Sequence, residues 1–363
     1  MNKFCLYVVY ILVCALITTP AWAEGEIVVY PGQPLQIVGA FTDVLAPSGS
    51  GGGKSLSLSG NNVTLNRGSV ELVVGALNIN DTDSVTGNQV FVKGGEVNDR
   101  VYGGGSNNGN VVGNSVTISG GKNAYVYGGF SEYGGNVTAN TVAISGGTLN
   151  MPVYGGLSNG AGNATANTVA ISNGSLNGEI VGGASAFGNA TGNTVSISGK
   201  PSFAAGCSIL GGYAPLGDEF SGNTLKLDIP ITVERVANFE NYEFIIPSSV
   251  RSGSAVLTVT GFAPVNLVGT TLDIAGIASG SKLKPGDTII LVSKASGAPA
   301  YASGTDIVTS FGTWKFSSTS GMLTATVVSL PSSGGGGGGG GCNAFGGLGI
   351  LALAMLFFTR KGR

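Results

Sequence analysis

Histidine is absent from this sequence of 363 residues, and charged residues make up only 10% of it. The absence of His excludes Ser-His-Asp and Cys-His catalysis and every metal site with an imidazole ligand. The formal net charge is −2, with 17 basic and 19 acidic residues, so the chain lacks the basic surface on which nucleic acid binds. Because 42% of the residues are apolar, the low charge does not indicate a disordered chain.

Cysteine is also rare, with four residues in the whole chain. Cys5 and Cys14 lie near the N-terminus and Cys342 near the C-terminus, which leaves Cys207 alone in the body of the protein. A single cysteine cannot form an internal disulfide, so packing and hydrogen bonds must hold the fold. We expect Cys207 to be a small buried apolar residue.

The first 23 residues are typical of a secretory signal peptide. Lys3 precedes a short apolar stretch from Leu6 to Ile17, and residues 21–23 match the small-residue cleavage site. We therefore predict a signal helix over residues 1–23 that is removed by cleavage after Ala23, and a mature protein that is exported.

The C-terminal segment combines a spacer with an apolar stretch. Residues 331–341 form a Gly-rich linker that ends at Gly341. Residues 342–363 begin with Cys342-Asn343-Ala344, continue as an apolar stretch to Phe358, and close with three basic residues among the last five. The apolar part is just long enough for a transmembrane helix, and the basic end is typical of a cytoplasmic side. This order resembles a bacterial C-terminal protein-sorting tail, most closely the Synergist type.

What this resemblance implies is a surface protein that its tail holds transiently in the inner membrane. A membrane-embedded enzyme then processes the tail near the junction of Gly341 and Cys342, and Cys342 is either the point of cleavage or a lipidated residue. A plain membrane anchor with an incidental cysteine is the alternative. In both cases the C-terminal helix contacts the membrane.

Glycine is abundant, at 64 residues, but lacks the three-residue period of collagen. The middle of the chain instead repeats a segment that reads Asn-Thr-Val-Ala-Ile-Ser-Gly at residues 140–146. Apolar residues two and four positions after each Asn alternate with polar ones, which predicts a strand with one buried face. At intervals of 26, 27 or 30 residues, the copies begin at Asn61, Asn88, Asn114, Asn140, Asn167, Asn193 and Asn223.

A second element, Val-Tyr-Gly-Gly or a close variant, follows 12 to 17 residues after each of the first six Asn residues. The period of two and the Gly pairs exclude an amphipathic helix, and the copies are too short for propeller blades. We predict an all-β fold, a parallel β-helix or β-solenoid of about 26-residue coils. The glycines are expected at corners with positive φ and where backbones approach closely. Stacking then forms an amide ladder from Asn88, Asn114, Asn140, Asn167 and Asn193.

The regions on either side of the repeats lose the period. Residues 24–60 carry a strand-like segment and a Gly/Ser patch, and we expect them to cap the first coil, because an open solenoid end is a bare strand edge. Residues 223–330 keep alternating strands separated by Pro and Gly, which predicts a β-rich C-terminal cap. The solenoid repeats are predicted to span residues 61–222.

The C-terminal flank resembles the closing segment of autotransporter passengers. The resemblance rests on Asn238–Pro247, Ala255–Gly261 and Leu283–Ile290, together with the repeats that precede them. It implies a β-helix passenger with a capped C-terminal end and an adhesin-like role. The sorting tail stands where that family has its translocating domain, so we expect export and sorting by separate machinery.

Few side chains offer chemistry. The repeats carry Asn and Ser where calcium-binding repeats carry Asp, so we expect no metal and no cofactor. One compact cluster of charges, Glu96, Asp99 and Arg100, keeps a carbohydrate-active enzyme (a lyase or a glycosidase on a β-helix) open as the alternative function. The other candidates are aromatic residues that either face a ligand or pack within the repeat, and packing is favoured for the first three of Tyr102, Tyr127, Tyr154 and Tyr133.

These observations favour a non-enzymatic, exported cell-surface protein that is a stalk or an adhesin-like binding module. We expect it at the cell surface or outer membrane of a Gram-negative-type bacterium, with transient inner-membrane anchoring. The expected partners are the export machinery, a signal peptidase, the enzyme that processes the tail, and a glycan or host-surface ligand. Nucleic acid is not among them.

Overall fold

The computed structural model describes residues 58–78, 82–297, 299, 306–319 and 321–331, together with the backbone of three strands at 26–28, 35–38 and 41–45. The described part of the chain is all β, with no helix, and forms a β-solenoid of about nine turns. The predicted fold class is therefore confirmed for these residues. The predicted signal helix, the Gly-rich linker, the sorting tail and the residues Ala23, Gly341 and Cys342 lie outside them.

The coils of the solenoid contribute strands to two long parallel rows, and five of the described coils add a strand to a third row. The first row contains the Asn-Thr-Val strands: Leu35–Val38, Asn62–Arg67, Gln89–Val92, Ser115–Ile118, Thr141–Leu149, Thr168–Leu176, Thr194–Ile197 with Ser202–Phe203, Thr224–Leu227, Asn241–Ile246 and Thr271–Ile277. The second row contains the Val-Tyr-Gly-Gly strands: Glu26–Val28, Phe41–Leu45, Ser69–Val74 with Leu77–Asn78, Glu96–Ser106, Lys122–Ser131, Val153–Ser158, Ile180–Ser185, Ser208–Tyr213 and Arg235–Ala237. The third row is short: Val85–Thr86, Val111–Val112, Val137–Thr138, Ala164–Thr165 and Ala190–Thr191.

The alternating pattern of the repeat sets which side chains enter the core. Val142 pairs in register with Val116 and Val169. Ile144, two residues later, pairs with Ile118 and Ile171. Both side chains are buried in one continuous core that runs the length of the solenoid. Thr141 and Ala143 are less buried and point to the opposite side of the strand, because successive side chains alternate between faces.

The Gly pairs of the second row lie inside strands and not at corners. A Cβ atom on Gly129 would lie 2.6 Å from the Asn140 Nδ2 atom, and one on Gly128 would lie 2.4 Å from the carbonyl oxygen of Gly155 in the next coil. The pair is therefore required because an Asn side chain and a neighbouring backbone occupy the space where side chains would be. Positive φ occurs elsewhere, notably at the residue that precedes each ladder Asn, such as Gly113.

Parallel pairing continues beyond residues 61–222 in both directions. On the N-terminal side, Leu35 pairs with Val63 and Phe41 with Val70. On the C-terminal side, Leu225 pairs with Tyr242 across a shortened coil, and Tyr242 pairs with Leu272 across a longer one. The sequence period is lost there because the loops change length, whereas the register of the strands is kept.

A second sheet closes the described C-terminal end. Its three parallel strands are followed by antiparallel ones, in the order Ile231–Val233, Ala255–Val259, Thr288–Val292, Met322–Ser329, Gly312–Thr319 and Asp306–Thr309. A small parallel pair, Val265–Asn266 with Ala295–Ser296, lies beside it. Trp314 and Phe316 are buried in the main core, so the antiparallel strands cover the apolar end of the solenoid.

The described residues include no helix of a length and hydropathy that would cross a membrane.

Candidate functional surface

A column of buried asparagines passes through the solenoid. The Oδ1 atom of Asn114 accepts hydrogen bonds from the backbone N–H and the side-chain amide of Asn88, at 2.9 and 2.8 Å. The same pair of contacts recurs in the next coils, and all the members are at most 1% exposed. We call this column the inner ladder, and its members are Asn61, Asn88, Asn114, Asn140, Asn167, Asn193 and Asn223.

The inner ladder also donates hydrogen bonds to backbone carbonyls of the third row of strands. The side-chain amide of Asn140 donates to the carbonyl oxygens of Val111, at 2.9 Å, and Thr138, at 3.2 Å, as well as to Asn167. One side chain therefore links its own coil to the coil before it and the coil after it, and an amide is the group that can both accept and donate in this way. At the N-terminal end, the Oδ1 atom of Asn61 is buried and has no partner among the described residues.

The three tyrosines of the second row form an external stack. The ring centroids of Tyr102 and Tyr127 are 5.0 Å apart, and those of Tyr127 and Tyr154 are 5.3 Å apart with an angle of 4° between the planes. Tyr102 and Tyr127 are only 6% and 7% exposed, whereas Tyr154 is half-buried. Tyr125 and Phe130 pack against the stack from its two sides.

Burial keeps these phenols neutral. Burial raises the pKa of Tyr154 to about 12 and the pKa of Tyr127 further, with the neighbouring rings adding to the shift. Burial also raises the pKa of Tyr102, although the Arg100 guanidinium, which donates a hydrogen bond to the phenol, opposes this shift. The stack therefore consists of neutral rings, and the first two are almost completely covered by protein.

Tyr133 lies apart from the stack, in the loop between the second and third rows, and is 66% exposed. Equivalent loops of later coils carry Phe187, 63% exposed, and Leu216, 72% exposed. We call this row of three exposed apolar side chains, two of which are aromatic, the aromatic edge. The loops are anchored by buried serines, because the Ser131 hydroxyl accepts the N–H of Gly135 at 2.9 Å and the Ser185 hydroxyl accepts the N–H of Gly188 at 2.8 Å.

A second column of asparagines runs beside the aromatic edge. The backbone N–H of Asn163 donates to Asn136 Oδ1 at 2.9 Å, and that of Asn189 donates to Asn163 Oδ1 at 2.8 Å. We call this column the outer ladder, and its members are Asn110, Asn136, Asn163 and Asn189. Asn163 is half-buried and the other three are exposed, and their oxygens are held by the backbone, so the row turns amide nitrogens towards solvent.

The charged cluster of the repeats is divided between separate ion pairs. The Glu96 carboxylate faces Lys122 at 4.0 Å, and the Asp99 carboxylate faces its neighbour Arg100 at 3.4 Å. All four side chains are about half exposed, so each pair contributes under about 1 kcal/mol to stability. Nothing in the described residues groups three or more acidic or cysteine side chains as a metal site would.

Cys207 is fully buried, and its thiol donates to the carbonyl oxygen of Gly178 at 3.2 Å. Burial raises its pKa to about 12, so the thiol stays protonated. A shallow depression of about 380 Å³ lies nearby and is lined by Gly206, Glu234 and Phe262, among others. It contains a single carboxylate and so lacks the pair that glycoside hydrolysis uses.

Sequence reasoning placed Tyr133 among the candidates but missed its neighbours on the aromatic edge. Phe187 and Leu216 each stand four residues after the second glycine of a variant of the Val-Tyr-Gly-Gly element, as Tyr133 does after Gly129. The signal that could have found them is this constant spacing, because an apolar residue at the same loop position as Tyr133 is expected on the same surface.

Comparison of the chain with protein-family models, with curated proteins and with solved structures found no match.

Proposed function

We propose that the chain is a non-enzymatic, exported cell-surface protein whose β-solenoid serves as a stiff stalk and adhesin-like binding module. The observation that supports this proposal is the inner ladder, which ties successive coils from Asn61 to Asn223 through buried amides. A ladder of this kind fixes the distance between coils, and it therefore presents equivalent loops at a constant spacing. Many weak contacts on such an array add to a strong attachment.

The chemistry of the surface is consistent with binding rather than catalysis. The described candidates for acid–base chemistry, Glu96 and Asp99, each face a cation, whereas the loops that carry Tyr133 and Phe187 expose neutral rings beside amides. Neutral rings with a few oriented polar groups are typical of sites that hold a ligand without reacting with it. Export through the predicted signal peptide and retention through the predicted sorting tail complete the proposal.

The proposal is tested on native cells that carry the chain and on cells from which its gene has been deleted. We expect the protein in the surface fraction, with mass spectrometry showing a mature N-terminus after Ala23 and loss of the tail near Gly341 or an added mass on Cys342. We also expect the deletion to reduce attachment of cells to a solid surface. An intact tail in the inner membrane, or attachment that is unchanged by the deletion, would contradict the proposal.

A further inference from the structure

The two rings of the aromatic edge have a defined separation along the solenoid. Tyr133 and Phe187 lie two coils apart, and the loop between them carries Gly160 opposite Tyr133. Neighbouring strands are about 4.8 Å apart, so the two rings are separated by roughly 9–10 Å along the axis. A Cβ atom on Gly160 would lie 2.0 Å from the carbonyl oxygen of Tyr133, so no side chain fills the gap between the rings.

The backbone of the loops that carry the rings is hydrogen-bonded in place. The buried hydroxyls of Ser131 and Ser185 each accept a backbone N–H within the same loop as the ring, and Ser185 also donates to the carbonyl oxygen of Gly162 at 2.7 Å. Each loop is also hydrogen-bonded to its neighbour, for example from the Phe187 N–H to the Gly160 carbonyl oxygen. An exposed aromatic side chain on a fixed loop loses little freedom on binding, which favours affinity.

Most polar groups beside the rings are neutral amides, and the charged ones, Glu132 and Asp218, are acidic and disfavour an anionic ligand. The outer ladder presents amide nitrogens in consecutive coils, and Asn159 adds an exposed amide that donates to the Glu132 carboxylate at 3.5 Å. Amides bind hydroxyl groups as donors and acceptors but do not select a charged ligand. A flat neutral ligand with many hydroxyls and a repeat of about two coils fits this arrangement.

We propose that the aromatic edge binds a neutral, extended polysaccharide whose chain runs parallel to the solenoid axis. In a β-1,4-linked chain, every second sugar ring presents the same face, and the length of such a disaccharide unit is close to the separation of Tyr133 and Phe187. Alternate sugars stack on the two rings, and the sugar between them lies over Gly160. Leu216 extends the apolar row by one coil, and Asn136, Asn163 and Asn189 donate to sugar hydroxyls. This inference rests on the proposed function and names its ligand class.

The probes are the β-1,4-linked hexasaccharides of glucose and of N-acetylglucosamine, titrated into the full chain by calorimetry. The α-1,4-linked hexasaccharide of glucose is the control ligand, because its helical chain does not repeat a ring face at this distance. We expect one or both β-linked probes to bind, and the α-linked probe to bind more than about tenfold more weakly. Removing one stacking ring, by Tyr133→Ala or Phe187→Ala, is expected to weaken binding about tenfold.

Phe262→Ala is the matched control variant, since Phe262 is also fully exposed but lies outside the aromatic edge. Its affinity should equal that of the unmodified chain, and all variants should keep the same urea midpoint. The inference is overturned if neither β-linked probe binds, if the α-linked probe binds equally well, or if the Tyr133→Ala/Phe187→Ala double variant keeps its affinity. It is also overturned if that double variant instead dissociates a dimer in sedimentation, since the edge would then be an interface between copies.

The two proposals can fail separately. If cells that carry the chain attach to surfaces but the purified chain binds no β-linked probe, the proposed function stands and this inference fails. If the chain binds the probe but deletion of its gene leaves attachment unchanged, the glycan site stands and the adhesive role fails.

Discussion

The inner and outer ladders contain the same residue type in the same coils, and they are built in opposite ways. In the inner ladder, Asn88 Nδ2 donates to Asn114, so each oxygen accepts from the preceding coil. In the outer ladder, Asn163 N–H donates to Asn136, so each oxygen accepts from the following coil. The inner side chains are buried and, apart from Asn61 Oδ1, their polar atoms are hydrogen-bonded, whereas most of the outer ones are exposed and use only the oxygen.

This difference means that the inner ladder stabilises the solenoid, whereas the outer ladder is free to contact water or a ligand. A buried amide that lost a partner could not replace it with water, so each member of the inner ladder is needed for stability. An exposed amide can exchange its partner for water or for a ligand at little cost. Between residues 110 and 193 the sequence repeats both kinds of Asn at the same intervals of 26 or 27 residues, and burial tells them apart.

The largest contrast is expected from one chemical change made in each ladder. Asn140→Asp replaces an N–H donor with an oxygen that faces the carbonyls of Val111 and Thr138, and it leaves a buried charge. We expect a loss of about 3–5 kcal/mol in the free energy of unfolding. Asn136→Asp keeps the oxygen that accepts from Asn163 and stays exposed, so its effect should be under about 0.5 kcal/mol. Urea unfolding of the two variants and of the unmodified chain measures both changes in the free energy of unfolding.

The same pair of variants predicts a dependence on pH. Burial should raise the pKa of the carboxyl introduced at position 140 above its unfolded value, since the charged form is the one that burial disfavours. Below the unfolded pKa the carboxyl is protonated in both states, so the variant avoids the cost of burying a charge. The free energy of unfolding of the variant then falls as the pH rises towards the folded-state pKa. Asn140→Asp should therefore regain stability in acid relative to Asn136→Asp. Equal losses for the two variants at neutral pH would show that the ladders do not differ as described.

A smaller contrast is expected from the glycines beside the two ladders. A Cβ atom on Gly156 would lie 2.6 Å from the Nδ2 atom of Asn167, whereas one on Gly134 would have its nearest neighbour at 4.0 Å. Gly156→Ala should therefore cost about 1–3 kcal/mol through overpacking, and Gly134→Ala should be neutral or slightly stabilising, by under about 1 kcal/mol. Chemical denaturation of the two variants separates these outcomes, and a neutral Gly156→Ala would mean that the inner ladder can move aside.

These glycines also show how far the sequence could predict the fold. The period and the alternation were enough to predict a β-solenoid and the register that aligns Val142 with Val169, because both follow from which face is buried. The role of the Gly pair was only partly predictable, since a pair inside a strand is explained by the Asn that lies over it in space. The exposed Phe187 was missed because the repeat pattern alone does not show that the loop position four residues after the Gly pair turns its side chain to solvent. The pairing of Leu225 with Tyr242 was missed because a shortened coil breaks the period without breaking the sheet.

The end of the inner ladder should be less sensitive than its middle. Asn61 donates to Asn88 through its backbone and its side chain, but its Oδ1 atom has no partner among the described residues. Asn61→Ala keeps the backbone donor and removes one side-chain hydrogen bond, so we expect a loss of about 1 kcal/mol. Asn140→Ala should cost more than twice as much, because it leaves several buried groups unpaired. Similar urea midpoints for the two alanine variants would mean that Asn61 is anchored as firmly as the members inside the stack.

The smallest effect is expected at the residue before each inner-ladder Asn. Ala139 has φ of 57° and Ala166 has φ of 56°, whereas Gly113 and Gly192 hold φ of 66° at the same position of other coils. A left-handed conformation costs a residue with a Cβ about 1–2 kcal/mol, and glycine avoids this but adds about 0.5–1 kcal/mol of unfolded-state entropy. Ala139→Gly should therefore stabilise the protein by up to about 1 kcal/mol. Ala143→Gly, in the following strand with ordinary φ, should instead destabilise it by about 0.5–1 kcal/mol. If both variants lowered the urea midpoint equally, the left-handed conformation of Ala139 would not cost free energy. The turn before Asn140 would then be unstrained.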